Sequence, residues 1–388
     1  MRHLLATLLF FASSGPAFAQ TVHVVDPATA TSQISTAAAV AVAGDVILVK
    51  TGTYGPFQLT AGVVVIADDG ANVTVDATAT APAATIVGLP AGEVAALHGL
   101  ELNGFGNQGA LFAQNCDGYL WCEDVSTTGG VWLLNVARTL FNRSVLAGRS
   151  VTSGTPAPAL RNESTLADSR LALFDCDLTG GSNASGDAAP GCFWLGFNVH
   201  TFFASGCRFV GGAAMLGAGG EGLLGSGGGL EMDAVDCLFL GGSGTPAGVP
   251  SSNVTVDADP RLDRTLEIDA PVRENQPPGA MLAYTGVPDN GMGTAGDLVW
   301  FYSVAAPKLD YVPAYNSIDV AFAPPQVLGP EATDTNGDIA LPVGFGSNTT
   351  ASALVLFVQT LVVENQAPSF TISLGAPSMV VVLDELIP

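Results

Sequence analysis

The sequence predicts an all-β chain: a solenoid of stacked coils, closed at its N-terminal end by a short helix and followed by a small antiparallel β-sandwich. Three observations predict it. One short phrase recurs between Leu100 and Gly242 as "LHGLELNG", "CEDVSTTGG", "RSVLAG", "FDCDLTGG", "SGCRFVGG" and "VDCLFLGG". Each is a brief apolar/polar alternation that runs into glycine. The composition, with 47 Gly in 388 residues and 7% aromatics, is that of a turn-rich β protein. Finally, the C-terminal third holds strand-like runs separated by turn signals.

The repeat carries the fold. The last inward apolar residues of the phrases are read as Leu102, Val125, Leu146, Leu178, Phe209 and Phe239. Their uneven spacing rules out a helical repeat array. It suits a β-solenoid, whose strands stay in register while the turns vary in length. Alternation puts Phe174, Cys176 and Leu178 on the inward side, with Ser205, Cys207 and Phe209, then Val235, Cys237 and Phe239, repeating the pattern. Residues 1–19 read as a secretory signal peptide: Arg2 and His3, an apolar run, and Ala17-Phe18-Ala19 as the cleavage site. That run is too short to span a bilayer, and no later segment is long and apolar enough. The expected mature chain is exported and soluble. Its formal net charge of −23 in the full sequence argues against nucleic acid and anionic membranes as partners.

Residues Thr31 to Val42 read as a capping helix ended by Gly44, "DVILVK" as a strand and "TGTY" as a turn. The phrase around Gly44, Asp45, Ile47, Val49, Gly52, Thr53 and Tyr54 resembles the entry to right-handed parallel β-helix proteins of the pectin lyase-like superfamily. "SSNVTVDADPRLDRTLEI", with Asp259-Pro260, resembles the exit phrase of many bacterial β-helices. The resemblance runs from Thr21 to Ile268 and, at about 25 residues per coil, implies eight or nine coils. The expected domains are a β-helix over 20–275 and a sandwich over 276–388, divided near Pro277, Pro278 and Gly279. The sandwich runs look like a C-terminal module recurrent in secreted bacterial proteins.

The outward positions of the phrases hold Glu101, Asp124, Arg143, Asp175, Asp177, Arg208 and Asp236. Stacking would bring several onto one face. What the resemblance implies there is the plan of calcium-dependent polysaccharide lyases: Glu101, Asp175 and Asp177 as oxygen ligands to Ca²⁺, with Asp124, Asp177, Arg143 and Arg208 as catalytic groups. A solvated ladder of charges explains the same residues. The motifs of polygalacturonases, pectate lyases and alginate epimerases are missing, and Lys is reduced to Lys50 and Lys308. Trp121, Trp132 and Trp194 are candidates for stacking on sugars or for filling rungs. His98 reads as an inward core residue, and His200 is open. Cys116 and Cys122 are near enough in sequence to close a small loop. Cys176, Cys207 and Cys237 share one inward slot, as a bonded pair or as free thiols. No C-x-x-C pair is present, which argues against a zinc site. "DTNGD" (Asp334 to Asp338) reads as a β-turn, and the Gly-rich Gly217 to Leu230 as a flexible turn. Two functions follow. One is a secreted or surface β-helix that binds glycan or builds matrix. The alternative is a lyase or hydrolase acting on an acidic polysaccharide.

Overall fold

The structure is a computed structural model of the whole chain. It describes residues 20–29, 32–106, 109–166, 169–196, 201–227, 230–259, 265–268, 271–273, 280–285, 298–304, 310–312, 317–319, 326–334, 338–343, 353–366, 369–384 and 387. The leader at 1–19, His200, Pro260, Lys308 and the linker at Pro277 to Gly279 lie outside the described residues. His23–Arg261 forms one compact unit, and Leu262–Pro388 belongs to a second.

The first unit is a parallel β-helix, and each turn of the coil lays down three strands. The first sheet stacks Val46–Val49, Val64–Ala67, Val94–His98, 119–123, 138–142, Arg170–Phe174, Thr201–Ser205, Glu231–Val235 and Thr255–Asp259. The second stacks eight short strands from Gly52–Tyr54 to Leu238–Leu240. The third runs from Phe57–Leu59 and Ala84–Val87 through 111–114, 131–134, Leu160–Ser164, Cys192–Gly196 and Leu223–Ser226 to Ser251–Ser252. Leu111–Glu123 and Val131–Asn142 each supply a strand to both the third and first sheets, bending at Asn115 and Asn135, which adopt positive φ. Each of these pairings is parallel. Crossovers between parallel strands are right-handed almost without exception, so the coil takes that hand.

The recurring phrase is not one strand. Between the first and second sheets the chain turns through one left-handed residue: Gly99, Asp124, Arg143, Asp175, Gly206 or Asp236. That residue reverses the side-chain alternation. Leu171 and Leu173 are in the interior cluster, so Phe174 points out of the bore; Ser205 and Val235 occupy the same outward position. Cys176 and Leu178, beyond the turn, face inward as expected. The interior column of the second sheet reads Tyr54, Val75, Leu102, Thr127, Leu146, Leu178, Phe209 and Phe239. Its fourth member is Thr127, not Val125, which sits in the corner slot later taken by Cys176, Cys207 and Cys237. The Phe209 and Phe239 rings stack with centroids 4.9 Å apart.

The entry helix is shorter than predicted, Ile34–Ala38, and buries Ile34 and Ala37 over the end of the bore. Val40 and Val42 are exposed, so the apolar stripe stops there. Asp45 is buried because its carboxylate accepts from the Val42 amide at 3.0 Å and lies 3.0 Å from His23 Nε2. "GTY" is a strand rather than a turn, and Tyr54 donates to Lys50 O at 2.6 Å.

The Gly-rich connections of the later coils are closely packed. Peptide hydrogen bonds zigzag across them: Gly181 to Ala157 O, Ala189 to Gly181 O, Gly212 to Ala189 O, Gly220 to Gly212 O, Gly242 to Gly220 O and Gly248 to Gly242 O, all at 2.8–3.0 Å. A Cβ at Gly212, Gly220 or Gly242 would run into a neighbouring carbonyl. Glycine stands there because backbone lies directly on backbone.

The second unit is an antiparallel β-sandwich. One sheet orders Thr265–Ile268, Ala280–Thr285 and Ile339–Val343. The other centres on Ala353–Gln366, flanked by Leu298–Val304, Ser369–Leu374 and Ser378–Leu383. Leu266, Tyr284 and Ile339 of the first share a core with Val299, Phe301, Val358 and Val380 of the second. Gln326–Ala332 was not anticipated, because Gly329-Pro330 breaks its pattern. It pairs on one side only, where proline is tolerated.

Candidate functional site

Two groups of side chains stand out on the coil. The first is the outer surface of the third sheet. Its register places Gln58, Thr85, Phe112, Trp132, Arg161, Phe193, Leu224 and Ser252 in one outward column. Phe112 and Trp132 rings approach to 5.2 Å. The Arg161 guanidinium lies 4.9 Å from the Trp132 ring centre and 5.7 Å from that of Phe193. It is thus held between two aromatic faces, and it also pairs with Glu163 in its own strand. Trp132 is 40% exposed. The neighbouring outward column carries Gln114, Leu134, Glu163 and Leu195. The result is a strip of aromatic rings with amide, guanidinium and carboxylate groups beside it, about 4.8 Å per rung.

The other two candidate tryptophans are elsewhere on the coil, and the fourth, Trp300, belongs to the second unit. Trp194 points into the bore, edge-on to Phe202 at 5.1 Å. Trp121 is buried on the outer side of the first sheet, and its Nε1 donates to Glu123 Oε2 at 2.8 Å. Only Trp132 of the three presents its ring to solvent, because only its strand position faces out of an uncovered surface.

The second group is the corner between the first and second sheets. His98, Glu123 and Asn142 are in-register neighbours at the ends of their strands. Glu123 is fully buried and accepts from Trp121, from Asn142 Nδ2 at 3.3 Å and from Arg143 Nη2 at 2.8 Å. Arg143 also grips Asp124, Nε to Oδ1 at 3.1 Å and Nη2 to Oδ2 at 2.8 Å. His98 is not an inward core residue: Ala95 and Leu97 of its strand fill the bore, so it points outward. Its Nε2 lies 3.4 Å from Asp124 Oδ2 without hydrogen-bond geometry. Burial pushes the His98 pKa down, opposed by the nearby Glu123 and Asp124 carboxylates. Arg143 holds this position at positive φ, a conformation costly for a long side chain.

The structure brings Asp124 and Arg143 together, and separately Asp177 and Arg208, an exposed pair at 3.2 Å. Glu101, Asp175 and Asp177 are not assembled. Glu101 and Asp177 share an outward column of the second sheet but are separated by Ser126 and Val145, about 14 Å at the usual strand spacing. Asp175 is the turn residue. Glu101 bonds instead to Thr74 at 3.3 Å. The expected Cys116–Cys122 bridge is absent. All six cysteines are free, and those two point into the bore from one extended strand. Cys176, Cys207 and Cys237 superpose as a column of thiols; the Cys176 amide lies 3.4 Å from Cys207 Sγ. Burial raises the pKa of Cys122, Cys192 and Cys207.

The sequence reading missed Glu123 and the role of His98. The available signal was Trp121-x-Glu123, which places indole and carboxylate on one side of a strand. Phe112 and Phe193 carry no local signal that sets them apart from core phenylalanines; only the cross-strand register places them beside Trp132 and Arg161.

No family model and no curated protein matches the sequence. Solved structures that overlay on it include pectate lyase Pel9A, at 12% identity over 63% of this chain and 79% of that chain, with a TM-score of 0.38. A pectin methylesterase in complex with a hexasaccharide overlays at 12% identity, 64% and 82% coverage, and a TM-score of 0.30. A polygalacturonase from Erwinia carotovora overlays at 11% identity, 64% and 100% coverage, and a TM-score of 0.29. The parallel β-helix assignment rests on the strand register above, not on these overlays. Among the described residues, no helix is long and apolar enough to cross a membrane.

Proposed function

We propose that the protein is an exported, surface or matrix protein that binds a glycan chain along the outer surface of the third sheet. One observation carries this reading: Phe112, Trp132, Arg161 and Phe193 stand in a single outward register column, with Trp132 exposed and the two phenylalanines half-buried. Aromatic faces stack against the C–H faces of sugar rings, and polar neighbours such as Gln114 and Glu163 supply hydrogen bonds to hydroxyls. A chain laid along the coil axis meets one platform per rung. Arg161 is already paired with Glu163, and the chain is strongly acidic, which favours a neutral glycan over an acidic one. Arg143 and Arg208, the groups that would neutralise a uronate in the lyase reading, are each engaged by carboxylates.

The test is affinity electrophoresis of the full chain through gels containing neutral or acidic polysaccharides. Retardation by a neutral polysaccharide is expected. Trp132→Ala should weaken it at least tenfold without moving the melting temperature, while Leu216→Ala, on an exposed loop, should leave it unchanged. No retardation by any polysaccharide, or equal retardation of Trp132→Ala, would overturn the proposal. Release of unsaturated or reducing ends from an acidic polysaccharide would favour the enzymatic reading instead.

A further inference from the structure

The geometry points to a divalent transition-metal site at the corner of the first and second sheets, formed by His98, Glu123 and Asp124, for an ion of the zinc or manganese kind. One ligand atom from each of these side chains lies within 4.8 Å of the others. A nitrogen and two carboxylates suit Zn²⁺ or Mn²⁺, whose ligand distances of about 2.0–2.2 Å call for a modest closing of the group. The acids alone would not make a site. The independent observation is His98: it is 6% exposed, and its Nε2 is buried, lacks a hydrogen-bond partner and lies in the group, 3.4 Å from Asp124 Oδ2. A buried ring nitrogen left in that condition is costly unless something else uses it.

Charge points the same way. Two carboxylates face one guanidinium, so the corner keeps one negative charge while Glu123 is fully buried. Arg143 reaches both acids at 2.8 Å and marks where positive charge is wanted. Its side chain is 15% exposed, so it has a way out toward solvent when an ion replaces it. Trp121 Nε1 holds Glu123 Oε2 by a 2.8 Å hydrogen bond, as outer-shell partners do in metal sites. The coil does not require these groups. The same column continues as Phe174, Ser205 and Val235.

The experiment is equilibrium dialysis of the full chain against Zn²⁺, Mn²⁺ and Ca²⁺, with Co²⁺ absorption as a report of coordination. One Zn²⁺ or Mn²⁺ per chain is expected, with Ca²⁺ held at least tenfold more weakly because a nitrogen ligand disfavours it. Arg143→Gln removes the competing cation and should tighten binding at least tenfold. His98→Gln should abolish it. If His98→Gln does not fold, wild-type Co²⁺ bands characteristic of nitrogen and oxygen ligands decide, and their absence overturns the proposal. So does the lack of a stoichiometric ion in both wild type and Arg143→Gln, or unchanged affinity in folded His98→Gln.

Discussion

One register position tells two different stories along the coil. At the last residue of the first-sheet strands, the N-terminal half reads His98, Glu123 and Asn142, tied by Trp121 and Arg143 into a buried polar network. The C-terminal half reads Phe174, Ser205 and Val235, with the Phe174 ring 5.4 Å from that of Phe203. The backbone is the same in both: a parallel rung, a left-handed turn residue, and a second rung. Stacking therefore tolerates either chemistry, and the charged half is an addition to the fold rather than a condition of it. The connections differ in parallel. Gly129 and Gly130 suffice between the second and third sheets in one early coil and residues 77–83 or 104–110 in others, whereas the later coils use the longer segments 148–159, 180–191 and 211–222, packed backbone to backbone.

The largest expected effect breaks that contrast at its charged end. Glu123→Ala leaves Arg143, Asn142 and Trp121 Nε1 without their shared acceptor and should cost ~3–5 kcal/mol. Ser205→Ala, in the same column, should cost only ~1 kcal/mol. Urea midpoints of the two variants check this; equal losses would dissolve the distinction. In the late half, Gly212→Ala should cost ~1–3 kcal/mol through overpacking, read as a drop in melting temperature.

A smaller effect sharpens the register. Thr127 is buried in an otherwise apolar and aromatic column, and its hydroxyl lacks a hydrogen-bond partner. Thr127→Val should stabilise by ~1 kcal/mol in urea unfolding. Destabilisation would mean that Val125, not Thr127, fills the bore.

The thiols give the gentlest probe. With pKa values raised above 9.0 in the folded state, Cys122 and Cys192 stay protonated longer than they do unfolded. The unfolded chain then binds fewer protons above pH 9, so this contribution to stability is whole below pH 9 and is lost as pH rises. Melting temperature should fall between pH 9 and 11, and less so in a Cys122→Ala, Cys192→Ala variant. At pH 8 a thiol reagent should label Cys237, the one partly exposed cysteine, ahead of the other five.

Much of the coil was legible because strand alternation and glycine turns are local signals. The Phe209–Phe239 stack, the thiol column and the entry phrase followed from them. The turn residues were not legible as turns: Asp124, Arg143 and Asp175 are polar residues in an alternating run, and nothing local marks positive φ at an arginine. Reading through them as strand put Phe174 and His98 on the wrong side and chose Val125 over Thr127. The candidate sites were half visible. Asp124, Arg143 and Trp132 carry obvious chemistry, but Glu123, Phe112 and Phe193 become partners only through the cross-strand register.

The most direct test of the glycan-binding account is tryptophan fluorescence during titration with the retarding polysaccharide. Trp132 is the exposed tryptophan of the outward column, Trp121 and Trp194 are buried, and the half-buried Trp300 lies in the second unit and is not part of the proposed platform. The account predicts a saturable emission change that disappears in Trp132→Phe and survives in Trp194→Phe. A change of full size in Trp132→Phe would contradict it.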